Sequence, residues 1–272
     1  KERGSYYGFW SASHNIGEAI TFIATAFVVS VAGWRWGFGA AGIAGLIGAA
    51  VILLFMKDSP TSQGLPSVMP PKEQERSAKA AQIEVLKNPY IWILALSSAC
   101  MYVSRYAINS WGIFFLENQK AYSSVEASSI VAVSAVCGIV GTVLSGFLSD
   151  KLFKSNRIVP AVIFGICNAI AITLFVFVPK GYYYIDIFSM ILFGLSIGVL
   201  ICYLGGLMAT DIAPKKALGA ALGVVGIASY IGAGHQDIMS GQLIGDGKTI
   251  VDGIAVYDLS SIRYFWIGAA VL

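Results

Sequence analysis

The sequence predicts an all-α membrane protein, and three observations carry that reading. Of its 272 residues, 57% are apolar, only 12% are charged and 30 are glycines, a balance that suits a bilayer and makes a soluble enzyme a poor fit. Outside the charged stretch from Lys57 to Lys87 the chain divides into apolar runs of about 20 residues, each long enough to cross a hydrocarbon core of about 30 Å. Lysines and arginines alternate between heavily and lightly charged connections, the pattern of a chain that crosses a membrane repeatedly.

The runs give seven full spans and part of an eighth, with helices expected near Tyr7–Val31, Trp36–Met56, Tyr90–Leu116, Ser124–Ser149, Ile158–Val178, Tyr184–Ala209 and Leu218–Ile244. The last helix begins near Tyr264. Small residues four apart, Gly194 with Gly198 and Gly219 with Gly223, are expected to let helix backbones approach closely. Between the second and third helices, Lys57–Lys87 is polar and carries Pro60, Pro66, Pro70 and Pro71, so it reads as a linker with two helices before it and six after. A second unusual connection, Gly245–Ser261, holds two short β-prone runs around Asp252-Gly253, a dipeptide suited to a type I′ turn; a small extracytoplasmic hairpin is expected there. The chain opens at Lys1 without a methionine or a signal peptide and closes at Leu272 in an apolar run that has barely begun, so it reads as a fragment.

Counted by connection, 12 basic residues fall on one side of the membrane and 5 on the other, which makes the richer side, with the linker, cytoplasmic. The net charge of +3 offers no field for nucleic acid. Cys100, Cys137, Cys167 and Cys202 stand singly in apolar runs with no CxxC spacing, so neither a metal site nor a disulfide framework is expected. The string GQLIGDGKT has five residues where a phosphate-binding P-loop needs four, and HExxH and GxSxG are absent; nucleotide binding and intramembrane hydrolysis lack their signatures, and no enzyme or cofactor is expected.

The remaining basic residue, Arg105, stands halfway along an apolar run, where an arginine costs about 3 kcal/mol on the lenient insertion scale. Either it lines a water-filled cavity and binds an anion, to which a permanently charged guanidinium fork is matched, or it forms a buried ion pair with a neighbouring helix. Tyr102 and Tyr106 flank it with hydroxyls suited to phosphate or sugar oxygens. His14 and Glu18, four apart, share one face of the first helix, as a proton-moving pair or as a polar packing patch. Tyr230 and Asp237, seven apart in the seventh run, can face one cavity; Asp237 is a counter-ion to Arg105, a selectivity residue, or a carboxylate near the outer water.

The string GFLSDKLFKSNR, with Gly146, Asp150, Lys151 and Arg157, resembles the loop signature of the major facilitator superfamily between the second and third helices of each six-helix half. The stretches WSASHNIG, KDSPTSQGLP, MYVSRYAINSW and DIAPKKALGAALG together make the chain similar to the organophosphate–phosphate antiporter family, which includes glycerol-3-phosphate and hexose-6-phosphate transporters and a hexose-phosphate sensor. The resemblance implies a major facilitator fold, of which this fragment covers about helices 5–12 of 12. Residues 1–57 would then be the last two helices of the first half, 58–88 a cytoplasmic linker, and 89–272 the second half with its last helix truncated.

By the same resemblance Arg105 is one of two arginines that grip the substrate phosphate, His14 assists binding or coupling, and Tyr102 and Tyr230 face the cavity. The implied activity is exchange of a phosphorylated sugar or small organophosphate for inorganic phosphate by a monomer in the bacterial inner membrane. The alternatives are a sensor that signals to a kinase and a proton-coupled anion symporter that titrates His14, Glu18 and Asp237. Glu18 departs from the family pattern, because a carboxylate there repels phosphate unless protonated or paired. The stretch GHQDIMSGQ and the long connection after it depart as well.

Overall fold

A computed structural model of the chain describes residues 3–57, 60–66, 77–154, 156–251 and 254–272. They form two compact units, Ser13–Ser77 and Lys1–Ala12 with Ala78–Leu272.

The smaller unit is a helical hairpin made from most of α1 (Arg3–Ala32) and all of α2 (Trp34–Phe55). Gly33 turns the chain with φ +85, a left-handed conformation that glycine adopts without strain, and its amide bonds to Val29 O at 2.9 Å. A β-carbon at Gly37 would lie 2.7 Å from Val29 Cγ2, so a glycine there lets α2 fold back on α1.

In the larger unit, α3 (Ala78–Lys87) is a helix that the linker reading does not anticipate, because only Ala81 and Val85 mark its buried face. The next helix, α4 (Pro89–Lys120), opens on a proline at its first position, while the Asn88 side chain accepts from the Tyr90 amide at 3.0 Å. Ala121, with φ 55, closes it. A capping box starts α5 (Ser124–Phe147): Ser123 Oγ accepts from the Glu126 amide at 3.3 Å, and the Ser123 amide donates back to Glu126 Oε2 at 3.0 Å. Then come α6 (Ile158–Phe177), α7 (Tyr183–Cys202), the short α8 (Met208–Ile212), α9 (Leu218–Asp246) and α10 (Ser260–Val271). Among the described residues six helical stretches are long and apolar enough to cross a membrane: Trp34–Phe55, Pro89–Lys120, Ser124–Leu152, Ile158–Phe177, Tyr183–Ile212 and Lys215–Asp246. The first helix, α1, runs 30 residues.

Two helix ends depart from the expected α geometry. The α5 helix widens into a π turn at Leu148–Leu152 and α7 into another at Tyr203–Leu207, and the Tyr203 hydroxyl, donating to Ser145 O at 2.6 Å, ties the second to α5. Glycines decide how closely these two helices approach. A β-carbon at Gly198 would fall 2.8 Å from Thr142 N, and Thr142 Oγ1 donates across the seam to Gly198 O at 3.2 Å. Gly194 fits as tightly against Ser134 O, as its spacing predicts. The second small-residue pair is a correction: among the described residues a β-carbon at Gly219 or Gly223 meets nothing within 4 Å. Both lie two residues off from the buried Ala221 and Val225, and so on the opposite side of α9.

After α9 comes an antiparallel hairpin, β1 (Lys248–Val251) with β2 (Ile254–Tyr257), in the register Lys248↔Tyr257 to Val251↔Ile254. The expected type I′ turn at Asp252-Gly253 falls outside the described residues. Tyr257 anchors the hairpin on the end of α4: its ring meets Phe114 at 5.1 Å, and Gln119 Nε2 donates to its carbonyl at 3.0 Å.

Candidate anion-binding site

The site is built where α4 and α9 run side by side in the same direction. Ser98 and Ser229 share a buried hydroxyl–hydroxyl hydrogen bond of 2.7 Å, and a β-carbon at Gly232 would fall 2.6 Å from Ala99 O. Further along both helices Gly241 lies beside the Trp111 ring. Between these contacts Arg105 occupies the middle of α4, 16 residues from Pro89 and 15 from Lys120, or about 24 and 22 Å at about 1.5 Å per residue.

Arg105 is 6% exposed. Its guanidinium carbon stands 5.9 Å from the Tyr102 ring centre and 5.8 Å from that of Tyr106, and it hydrogen-bonds to the Tyr102 hydroxyl. The two tyrosines stack at 6.0 Å, and Tyr230, reaching over from α9, meets Tyr102 edge-on at 5.6 Å while remaining 60% exposed. Four of the residues singled out from sequence, Arg105, Tyr102, Tyr106 and Tyr230, are thus brought together. On the neighbouring position Ser104 is held from α6 by Asn168 Nδ2 at 2.8 Å, a buried support for this stretch of α4.

His14 is exposed on α1 within the smaller unit, and the Glu18 side chain falls outside the described residues. Asp237 is half-buried on α9, and one of its carboxylate oxygens is enclosed with no hydrogen-bond partner among the described residues. The ion pairs described in this unit, Lys120–Asp186 and Arg157–Asp211, leave Asp237 out.

Gly146 lies where α1 meets α5: a β-carbon at Gly8 would stand 3.3 Å from Gly146 N and 3.0 Å from Thr142 O. Asp150 and Lys151 belong to the π turn, with Lys151 Nζ 4.9 Å from the Phe147 ring centre and Asp150 close enough to Tyr203 to interact electrostatically. Arg157, buried, ion-pairs with Asp211 and donates to Leu207 O at 3.2 Å, holding the end of the second π turn. Among the described residues no group of three His, Cys, Asp or Glu could hold a metal ion, and the four cysteines are free.

Sequence reasoning missed the C-terminal end of α4. Lys120, counted as a loop residue, is 5% exposed and ion-paired to Asp186, itself 1% exposed in the first turn of α7. Tyr122 donates to the other Asp186 oxygen at 2.8 Å, and burial first, then this bond, pushes its phenol above the usual range. An aspartate inside the apolar string YYYIDIFSM was the available signal. A groove of about 850 Å³ between α4, α6 and the end of α10 is lined mainly by apolar residues such as Ile93, Met101 and Leu200 and does not include Arg105.

The family model of the Major Facilitator Superfamily matches residues 1–234. The chain belongs to the major facilitator superfamily. It is 31% identical over 259 residues to a probable hexose phosphate transport protein of Chlamydia pneumoniae, covering 85% of this chain and 56% of the relative. It is 33% identical over 247 residues to the glycerol-3-phosphate transporter of Bacillus subtilis (strain 168), with 85% and 55% covered. To the membrane sensor protein UhpC of Salmonella typhimurium it is 32% identical over 248 residues, again with 85% and 55% covered. These relatives match the organophosphate–phosphate antiporter family, and the chain spans little more than half their length. With six membrane-crossing stretches among its described residues, this superfamily member is an integral, multi-pass membrane protein.

Proposed function

We propose that the protein exchanges a phosphorylated sugar or small organophosphate for inorganic phosphate by alternating access. The observation that carries this reading is a permanently charged guanidinium at mid-membrane depth, nearly buried, against a stacked pair of tyrosines, one of which meets a third that is open to one side. A dianionic phosphate suits that place: the guanidinium fork donates to two of its oxygens, the tyrosine hydroxyls donate to others, and the cation's own desolvation is offset. The likeness to hexose phosphate and glycerol-3-phosphate transporters supports the same ligand class.

In this reading the chain supplies helices five to twelve of twelve, with residues 1–57 from the first half, 58–88 a cytoplasmic linker and 89–272 the second half, in a bacterial inner membrane. His14 assists phosphate binding from the first half, and Glu18 and Asp237 tune coupling or selectivity. Gly146, Asp150, Lys151 and Arg157 latch helix ends on the cytoplasmic side. Two halves rock about the site, and an occupied site closes more readily because the bound anion neutralises the buried cation. No leak step is then favoured, and the cycle is exchange.

The test is uptake of labelled hexose phosphate into liposomes loaded with inorganic phosphate, using a chain of the relatives' full length and its Arg105→Lys and Arg105→Ala variants. Uptake that needs internal phosphate, falls in the lysine variant and vanishes in the alanine variant is the expected result. Uptake independent of Arg105 overturns the reading. The likeness to UhpC favours one alternative, a membrane sensor with the same anion site that signals to a kinase; binding that depends on Arg105 without any exchange would establish it.

A further inference from the structure

We propose that α3 is an interfacial helix that docks on anionic phospholipid. Its inner face is settled by the structure: Ala81 and Val85, at 0% and 1% exposed, lie in an apolar cluster with Ala217, Ala221 and Val225. The opposite face is apolar too. Ile83 and Leu86 are 43% and 50% exposed, and at about 100° per residue they point roughly opposite Ala81 and Val85. A ten-residue helix with apolar residues on two opposite faces has more greasy surface than one protein contact can cover.

The charges define what covers the second face. Lys79 and Lys87 are both exposed, and helical spacing puts them on the same side of the helix as Ile83 and Leu86, one before that apolar pair and one after it. The one acidic residue of the helix, Glu84, is roughly 130° round from the centre of that face. Lysines bordering an apolar strip extend their stems along it and present ammonium groups to phosphate, the arrangement of helices lying in the headgroup layer of a bilayer.

The depth of α3 is fixed by a separate observation. Trp92, near the start of α4, donates its indole N–H to Leu86 O at 2.8 Å. That bond satisfies one of the carbonyls a helix end leaves open, and it locks α3 to the end of a membrane-spanning helix. Trp92 and Tyr90 are 54% and 67% exposed, and exposed tryptophan and tyrosine at the end of a span mark the level of the membrane–water boundary. The end of α3 bonded to Trp92 is therefore held at that level, which sets Lys87 beside the headgroups. An anionic leaflet matches this face in polarity and charge, since it takes up both the apolar pair and the two lysines beside it.

The proposal is tested on the full chain in bilayers. A bimane label is placed at Gln82→Cys, an exposed position on the flank of the face, after the four native cysteines are replaced by alanine or serine. Vesicles of phosphatidylcholine carry a small fraction of one brominated lipid, either phosphatidylglycerol or phosphatidylcholine. The brominated phosphatidylglycerol is expected to quench the label more strongly, with a local enrichment of about fivefold for each lysine. In K79Q/K87Q the two lipids should quench alike, and in I83N/L86N both should quench less while aqueous iodide quenches more. Size exclusion and circular dichroism of each variant report its fold. Equal quenching by the two lipids in the unsubstituted face overturns the proposal, since contact without charge selection is not anionic docking. Quenching by iodide alone overturns it by placing α3 in water, and quenching by none of the three does so by showing a protein cover.

Discussion

Replacing Lys120 by methionine tests whether the C-terminal end of α4 is held by charge. Lys120 and Asp186 are 5% and 1% exposed, so the substitution leaves a carboxylate enclosed with the Tyr122 hydroxyl but without its cation. An exposed pair would contribute about 1 kcal/mol at most, whereas removing one partner of a buried pair costs about 3–5 kcal/mol. At about 2–4 °C per kcal/mol for a chain of this size, the melting temperature in detergent falls by roughly 10 °C. The Asp186→Leu variant should lose a similar amount. In K120M/D186L both charges are gone and the introduced methionine can lie against the Phe175 ring, which the lysine now faces, so the double variant should return to within about 2 kcal/mol of the starting protein. The assay is a fluorescence-monitored melt of all four proteins in one detergent, read as a double-mutant cycle. Losses that simply add in the double variant would refute the argument, because they would mean that the two side chains do not depend on each other.

Three further outcomes are expected. Gly198→Val, which drives a β-carbon into the α5 backbone, should destabilise by about 3 kcal/mol or more and lower the melting temperature sharply, while Gly219→Ala should be neutral or stabilise by up to about 1 kcal/mol; the same melt reads both. Tyr122→Phe removes a hydrogen bond to a charged group and should cost about 1.5–3 kcal/mol, less than either single substitution of the ion pair. Asp258 accepts from the Ser260 hydroxyl and amide, which hold its carboxyl below the usual carboxylate range. A depressed value stabilises the fold above the ordinary carboxylate pKa of about 3.9 and loses that contribution as pH falls through the lower, folded value. Hydrogen exchange at the Ser260 amide should therefore quicken only in that acid window after correction for intrinsic rates, and Asp258→Asn should remove the step.

The spans were legible because about 20 apolar residues leave few other places to go, and Arg105 was legible because a charge stands out against them. Helix starts near Tyr90 and Ser124 were expected from the apolar runs alone, and the structure adds the Asn88 cap and the Ser123–Glu126 capping box that fix them. What the chain hid depends on partners far away in sequence. Lys120 looks like any lysine at a helix end until Asp186, 66 positions on, is folded against it. Gly194 with Gly198 and Gly219 with Gly223 have the same spacing, and only the neighbouring helix tells them apart. One π turn falls in LSDKL and the other in YLGGL, strings with only leucine in common, so composition does not report them. The tyrosines around Arg105 were found by flanking position and by resemblance, and the geometry joins them.

The half-way position of Arg105 has an electrical consequence. A charge crossing the whole membrane potential exchanges about 2.3 kcal/mol per 100 mV, but a side chain packed beside two stacked rings and displaced by about 3 Å along a core of about 30 Å crosses only a tenth of the field. That is about 0.2 kcal/mol per 100 mV, below thermal energy. A resting potential therefore exerts little pull on the arginine itself, and under the proposed exchange any voltage dependence would be set by the ions that enter and leave beside it.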